Sequence, residues 1–255
     1  MSEDAVVRRE LRGRVAIVTL ARAEKRNALS RGVFHGLRAA FADLPEDVRA
    51  VVLAGEGAHF CAGLDLTEHK TTTPFPSMLY SREWHKLVQG IRDCGRPVVT
   101  AMQGAVIGGG LEMACCTHVR VAEADAFYQL PEARRGIFIG GGGSVSIAEI
   151  IGAGRLTEMM LTGRRLSAEE GQALGLSHYL VEPGQALPKA LELAEHIAGN
   201  APISTYMTLN AIRLIASMPA EAGLFTESVA QALTLTSEDA EAGMNAFLQK
   251  KTTSF

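Results

Sequence analysis

The sequence contains few cysteines and few aromatic residues. Its 255 residues include four cysteines and one tryptophan, and aromatic residues make up 5% of the chain. No two cysteines form the C-x-x-C pair of metal and redox motifs, and three of the four lie in apolar segments. We therefore expect small buried thiols in a reducing compartment rather than disulfides. The cysteines are Cys61, Cys94, Cys115 and Cys116.

Long apolar runs and an excess of positive charge are also missing. No uncharged apolar segment reaches the roughly 18 residues of a membrane-spanning helix. Residues 1–14 are polar and lack the apolar core of a secretory signal. The net charge of -3 argues against nucleic acid as the main partner, since such partners require basic patches. We expect a cytoplasmic protein that has neither a nucleic-acid partner nor a membrane partner.

Several cofactor and metal motifs are absent as well. The sequence lacks the glycine pattern of dinucleotide-binding turns, the phosphate-binding P-loop and the H-E-x-x-H zinc motif. Its histidines and cysteines are not spaced as metal ligands, so no metal is expected. The glycine-rich segments could still cradle a phosphate through their backbone. No lysine or arginine is suitably placed after them, which makes that use less favoured.

Short branched apolar segments alternate with helical periodicity in the first part of the chain. This alternation predicts an α/β fold with parallel strands joined by helical crossovers. The expected strands are 15–20, 49–57, 97–104 and 117–123, and the expected helices are 30–43, 77–93 and 110–116. The polar loop 67–76 could border a pocket or simply connect elements on the surface.

The chain becomes mainly helical after residue 143. Ser167 and Glu170 match a capping box at a helix start, and one last strand is expected within 174–184. Apolar residues on more than one side of the final helices predict docking on the core or on a neighbouring subunit. Those helices are expected at 202–217, 221–235 and 238–251, the last with an acidic start.

Two glycine-centred turns follow neighbouring predicted strands. They are "HFCAGLDL" at 59–66 and "GAVIGGGLE" at 104–112. The first amides of a helix lack partners within it, and glycine lets a ligand approach them closely. Two such amides from adjacent strand ends could hold one oxygen atom as an oxyanion hole. The alternative is two tight turns that serve close packing.

Two glutamates accompany these turns. Glu112 follows the second turn, and Glu132 lies twenty residues further along, after a proline. Two carboxyl groups beside one anion hole are typical of acid–base chemistry on a carbonyl compound. Alternatively, Glu112 pairs with an arginine and Glu132 is a surface residue at a helix start.

The sequence resembles the crotonase superfamily, which includes the enoyl-CoA hydratases and isomerases. The resemblance implies a crotonase-like spiral of β-β-α repeats at 1–198, which binds acyl-CoA, and a C-terminal helical trimerisation region at 199–255. The expected partners are an acyl-CoA thioester and further copies of the chain, in a homotrimer or a dimer of trimers. The matching segments are 21–30, 51–66, 95–137, 159–183 and "AGMNAFLQKK" near the end.

The resemblance also implies roles for individual residues. The Leu64 and Gly109 amides would hold the thioester oxygen, and Glu112 and Glu132 would add water to a 2-enoyl-CoA. Asp65 would cap a helix after the hole. Coenzyme A belongs to the substrate, so no separate cofactor is expected. Residues implied in substrate binding are Lys25, Asn27, Ala62, Gly63, Asp65 and Lys250, the last being equally compatible with a solvated helix end.

Some positions depart from the family pattern, and other reactions remain open. Arg134 and Arg135 follow Glu132, and a pairing with either would lower its pKa and weaken it as an acid. Ile139 replaces a common proline. Tyr80 and Trp84 share a helix face, where core packing is favoured over a role in the acyl pocket. Double-bond isomerisation, retro-aldol cleavage and non-enzymatic RNA binding are the alternatives to hydration.

Overall fold

Within the residues that the structure describes, the main sheet has six strands, of which five run parallel to one another. The computed structural model describes residues 5–68, 73–251 and 255. The strand order is β1-β2-β3-β4-β6-β9, and only the edge strand β1 is antiparallel to its neighbour. The four strands predicted in the first part and the late one are confirmed. The edge strand β1 was not predicted. The six strands are β1 Val7–Arg12, β2 Val15–Leu20, β3 Ala50–Gly55, β4 Val98–Met102, β6 Val119–Glu123 and β9 Tyr179–Val181.

A second sheet of three short strands supports the candidate site. It contains β5 Ala105–Ile107, β7 Phe127–Gln129 and β8 Arg165–Ser167. The sequence did not predict them, because β5 falls within the glycine-centred turn 104–112 and neither β7 nor β8 contains a branched apolar run. β5 leads directly into the glycine triplet and thereby places it beside the loop after β3.

The helices match the predicted segments closely. Ser30 caps the first helix by accepting a hydrogen bond from the Val33 amide at 3.2 Å, and Ser167 and Glu170 form the predicted capping box. In the described residues the helices are α1 Arg31–Ala42, α2 Pro74–Arg92, α3 Gly109–Cys115, α4 Gly143–Ile151, α5 Ala153–Thr162, α6 Ala168–Ala173, α7 Ala186–Ala198, α8 Pro202–Ala216, α9 Ala220–Leu235 and α10 Glu238–Leu248.

The core lies on both faces of the main sheet. Alanine-rich α7 packs on one face against alternate residues of β2, β3 and β4. The opposite side chains of those strands pack against α1, α2 and α3 in the larger apolar cluster. Cys61, Cys115 and Cys116 are buried there as expected, and burial raises the pKa of the Cys116 thiol to about 12.

The three C-terminal helices have little contact with the core. Of their described residues only Gly223 is buried, while Phe225 is 73% and Phe247 81% exposed. The predicted helices are confirmed, but within this single chain most of their apolar surface is not docked on the core. No helix in the described ranges is both long and apolar enough to cross a membrane.

The loop predicted at 67–76 is described only in part. Residues 69–72 of it lie outside the described residues. Pro74 begins α2, three residues earlier than predicted, which suits the preference of proline for the first helical position.

Candidate active site

Two backbone amides from the glycine-centred turns lie side by side. A Cβ atom placed on Gly63 would be 3.5 Å from the Gly109 nitrogen, and one placed on Gly109 would be 4.0 Å from the Leu64 nitrogen. Gly109 is the first residue of α3, where an amide has no acceptor within the helix. Across the described residues, neither amide donates a hydrogen bond to a protein acceptor. The pair is therefore free to bind an external oxygen.

The Leu64 amide is positioned by backbone contacts on both sides of its loop. Leu29 donates to the Gly63 carbonyl at 2.8 Å, and its own carbonyl accepts from Asp65 at 3.1 Å. On the other side, Cys61 forms an isolated bridge with Val106 of β5. Gly63 has φ +86°, and a Cβ there would lie 2.9 Å from the Ile107 carbonyl oxygen. Glycine at this position permits both the turn and the close approach.

Glu112 lies at the start of α3, and its carboxylate is held by a second glycine segment. The side chain is only 4% exposed. Its Oε1 accepts hydrogen bonds from the Gly141 amide at 2.9 Å and the Gly143 amide at 2.8 Å. Burial raises the pKa of Glu112, and these amides oppose that rise. No arginine pairs with Glu112 among the described residues, so that alternative is excluded there.

Glu132 begins a short 3-10 turn, Glu132–Arg135, and is also buried. Its Oε2 atom is inaccessible and has no hydrogen-bond partner among the described residues. Burial raises the pKa of Glu132, a hydrogen bond from its own backbone amide opposes the rise, the nearby charge of Glu112 adds to it, and Arg135 opposes it weakly. Arg134 instead donates to the Thr162 carbonyl at 2.6 Å. Among the described residues neither Arg134 nor Arg135 pairs with Glu132, so the condition for a lowered pKa is not met and the net shift is upward.

One cavity brings the two amides and the two carboxyl groups together. Its volume is about 180 Å³, and most of its wall is apolar. Trp84 lines the cavity and also packs edge-on against Phe34, so core packing and a place in the pocket wall apply together. The lining comprises Leu29, Leu64, Ser77, Tyr80, Ser81, Trp84, Val88, Gly109, Glu112, Glu132, Ile137, Phe138, Ile139, Gly140 and Gly141.

The predicted substrate-binding residues are more dispersed. Lys25 is exposed in the 3-10 turn Ala23–Lys25, Ala62 is half-buried beside the hole, and Lys250 is exposed beyond α10. Neither lysine lines the cavity. Asn27 is fully buried: it accepts from the Arg22 amide at 2.9 Å and donates to the carbonyls of Glu56 and His59. With its amide groups bonded internally, Asn27 shapes the loop instead of presenting its side chain to a ligand.

Asp65 is also an internal anchor, and within the described residues it does not cap a helix as predicted. Residues 66–68 form a turn in the described part of that loop. Oδ1 of Asp65 accepts from the Thr67 amide at 3.1 Å and from the Thr67 hydroxyl at 2.6 Å. Its Oδ2 pairs with Arg22. The Thr67 hydroxyl and the Arg22 guanidinium lower the pKa of Asp65 despite its burial.

Metal ligands are not clustered in the described ranges. No group of three histidine, cysteine, aspartate or glutamate side chains there could hold a metal ion.

The sequence reasoning missed Gly141 and Gly143 as partners of Glu112. The run "GGGG" at 140–143 was the available signal, because it marks a backbone that another group approaches closely.

Comparison with known proteins decides the family. A model of the enoyl-CoA hydratase/isomerase family matches residues 10–255. The chain belongs to this family. It is 33% identical to the enoyl-CoA hydratase EchA19 of Mycobacterium tuberculosis, covering 99% of this chain and 96% of that protein. It is 29% identical to a short-chain-enoyl-CoA hydratase of Clostridium acetobutylicum, covering 95% of this chain and 94% of that protein.

Solved structures agree with this family membership. The protein in a crystal structure from Rhodopseudomonas palustris is 43% identical in sequence to this chain. The match has a TM-score of 0.95 and covers 98% of this chain and 97% of that one. The Bacillus anthracis enoyl-CoA hydratase is 29% identical, with a TM-score of 0.92 over 98% of each chain. The crotonase-type α/β fold expected from the sequence is therefore confirmed.

Proposed function

We propose that this protein is an enoyl-CoA hydratase, which adds water reversibly across the 2,3 double bond of a 2-enoyl-CoA thioester. One observation carries the proposal: two buried carboxyl groups and two backbone amides without protein acceptors face the same small, mostly apolar cavity. Retention of both acids favours hydration over double-bond isomerisation, for which one acid suffices.

The amides of Leu64 and Gly109 would bind the thioester oxygen. Attack of water at the β-carbon moves negative charge onto that oxygen as an enolate forms. Donors that already point at this position stabilise the charge without reorganising. The loss of one donor in comparable holes costs roughly 2.7–4 kcal/mol of transition-state stabilisation. Gly63 and Gly108 hold the two donors together, and neither places a side chain in the way.

The surroundings of the two carboxyl groups suggest how they divide the work. Glu112 accepts two amide hydrogen bonds, which favour its charged form and suit a base that takes a proton from water. Glu132 has an unpartnered Oε2 and the nearby charge of Glu112, which favour its protonated form. In the hydration direction, the water O–H bond breaks toward Glu112 while oxygen bonds to C3. The proton of Glu132 passes to C2.

The remainder of the substrate would extend from the hole toward solvent. We place the pantetheine arm beside Ala62 and Gly63, where the backbone lies close to the Leu64 amide. Exposed Lys25 and Lys250 are the proposed partners of the coenzyme A phosphates, and Lys250 would serve either its own subunit or a neighbour. Coenzyme A enters as part of the substrate, and the mechanism uses no other cofactor.

Residues 199–255 are proposed to form the oligomer interface. The apolar surface that the large exposed side chains of α8, α9 and α10 present exceeds what monomeric soluble proteins normally expose to water. A trimer, or two trimers packed together, would cover them. Residues 1–198 would then form the catalytic core.

Loss of enoyl absorbance from crotonyl-CoA tests the proposed reaction directly. Wild-type protein should form the 3-hydroxyacyl thioester, and E112Q or E132Q should lower kcat by roughly 10²- to 10⁴-fold. Folded wild-type protein that converts no 2-enoyl-CoA of any chain length would reject hydration. Intact turnover in E132Q, together with a shifted double bond in the product, would favour isomerisation.

A further inference from the structure

The glycine segment that holds Glu112 has little conformational preference of its own. It consists of four consecutive glycines, Gly140–Gly143, and Gly142 has φ +103°. Glycine populates both signs of φ about equally, so such a run does not keep one shape without contacts from outside. Any group that fixes this segment also fixes the two amides that bind the carboxylate of Glu112.

Ser81 on α2 provides such a contact. Its hydroxyl donates a hydrogen bond to the Gly140 carbonyl at 2.7 Å, across 59 positions of sequence. Ser81 is half-buried in the wall of the cavity, and its oxygen also lies 3.4 Å from His85 Nε2 on the next turn of α2. The hydroxyl can accept from His85 while it donates to Gly140, which would hold its proton toward the loop.

The geometry therefore links α2 to Glu112 in three steps. Ser81 holds the Gly140 carbonyl, the same planar peptide group presents the Gly141 amide on its opposite side, and that amide binds Glu112 Oε1 at 2.9 Å. Gly143 supplies the second amide from the first turn of α4. Ser146 adds a weaker contact to the Gly142 carbonyl at 3.3 Å. Ser81 is thus the side chain that ties this loop to α2.

We propose that Ser81 is a positioning residue for the Glu112 carboxylate, acting through the backbone of Gly140 and Gly141. This role rests on the proposed hydratase reaction for its kinetic consequence, but the structural link exists without substrate. The proposal gives α2 a function beyond lining the cavity, because Ser81 on this helix aligns the Glu112 base with water and substrate. A displacement of about 1 Å at a reacting group can cost about 10²-fold in rate.

Variants of Ser81 test this role kinetically. S81A should lower kcat for crotonyl-CoA hydration by roughly 10- to 100-fold with little change in KM, because the acyl pocket is retained and only the base loses alignment. S81T keeps the hydroxyl and should restore most of kcat. S144A is the matched control: Ser144 is an exposed serine of α4 that makes no side-chain hydrogen bond in the described residues. Its kcat should stay within about twofold of wild type.

Hydrogen exchange of the Gly141 and Gly143 amides supplies a readout that needs no substrate. In ligand-free S81A these amides should exchange faster than in wild type and S144A, while amides of β3 keep their protection. S81C, with a similar volume and a weaker donor, replaces S81A if the latter does not fold. Unchanged kcat and exchange in the folded variant, or equal losses in S81A and S144A, would overturn the proposal. The wild-type protein could prove inactive on every enoyl-CoA while these amides still exchange faster in S81A. That combination would support the link from Ser81 to Glu112 and reject the proposed reaction.

Discussion

Arg22 and Asp65 form a buried ion pair, with 3.0 Å between Nη2 and Oδ2 and side-chain exposures of 14% and 7%. The pair joins the loop before α1 to the loop that carries the Leu64 amide. Arg22 also donates to the Ala28 carbonyl at 2.7 Å, next to the backbone that contacts Gly63. The electrostatic anchor and the backbone contacts together hold one half of the proposed oxyanion hole.

Removal of one partner from this pair should therefore damage both stability and catalysis. R22A leaves the Asp65 carboxylate buried and incompletely paired, which in comparable cases costs roughly 3–5 kcal/mol. Thermal unfolding and kcat of R22A measure the two effects. The control is R8A, which removes the Arg8 partner of Glu56 in a pair with side chains 35% and 46% exposed. That change should cost less than about 1 kcal/mol, and equal losses in R8A and R22A would contradict this account.

A side chain at Gly108 should impair catalysis, because it would collide with the carboxyl group of Glu132. Its φ is +54°, and an added Cβ would lie 2.5 Å from Oε1 of Glu132. G108A should displace that carboxyl group and lower kcat by at least about 10²-fold. Gly136 also has positive φ but has open space around its Cβ position. G136A thus controls for backbone strain alone, and it should retain far more activity than G108A when both are folded.

The buried Glu132 should make the folded protein less stable at neutral pH. Burial and the charge of Glu112 raise its pKa above the ordinary 4.5. A group with a raised folded-state pKa contributes stability below its unfolded pKa and loses that contribution as pH rises through the folded value. E132Q should therefore increase the free energy of unfolding at pH 8 by ~1.4 kcal/mol for each unit of elevation, and the gain should shrink toward pH 4.

Denaturant titrations of E132Q at several pH values check this sign. The control is E123Q, since the buried Glu123 carboxylate accepts a hydrogen bond at 3.0 Å from the Ala186 amide, the first residue of α7. Glutamine keeps an acceptor oxygen but not the charge, so E123Q should weaken this hydrogen bond and destabilise the protein by roughly 1 kcal/mol, in the opposite direction. A loss of stability in E132Q at pH 8 would mean that its carboxylate is better solvated than the structure indicates.

The exposed apolar side chains of the last helices predict self-association. Replacement of Phe225 and Phe247 by serine should reduce the molar mass measured by light scattering after gel filtration. Leu161 is 75% exposed on α5 of the core and serves as the control, because L161S should leave the mass unchanged. A wild-type protein that elutes as a monomer at micromolar concentration would reject the proposed oligomer.

The sequence predicted the helices and strands that have a regular spacing of apolar residues or a recognisable capping or turn motif. Branched apolar runs identified β2, β3, β4 and β6, helical spacing identified α1, and a capping box identified the start of α6. The strands β5, β7 and β8 were not predicted because they are defined by tertiary pairing, whereas the equally short β9 lies in an apolar segment that ends in a Pro-Gly turn. Long-range pairing, rather than local propensity, decided those segments.

The candidate site was predictable in part from its chemistry. Two glycine turns with Glu112 and Glu132 predicted an anion hole beside two acids, and the resemblance to the crotonase superfamily implied Leu64 and Gly109 as the donors. The direction of individual side chains was not predictable, because it depends on partners remote in sequence. Glu112 is bound by amides 29 and 31 positions away, and Asn27 turns inward because its acceptors lie at the end of β3.

The proposed mechanism requires the Leu64 and Gly109 amides to polarise the thioester carbonyl beside the two acids. Isotope-edited infrared spectroscopy of a ¹³C=O-labelled 2-enoyl-CoA bound to catalytically slow E132Q measures that polarisation directly. We expect the carbonyl stretch to fall to lower frequency on binding, because two hydrogen bonds weaken the C=O bond. A bound thioester whose carbonyl frequency equals its value in water would contradict the account.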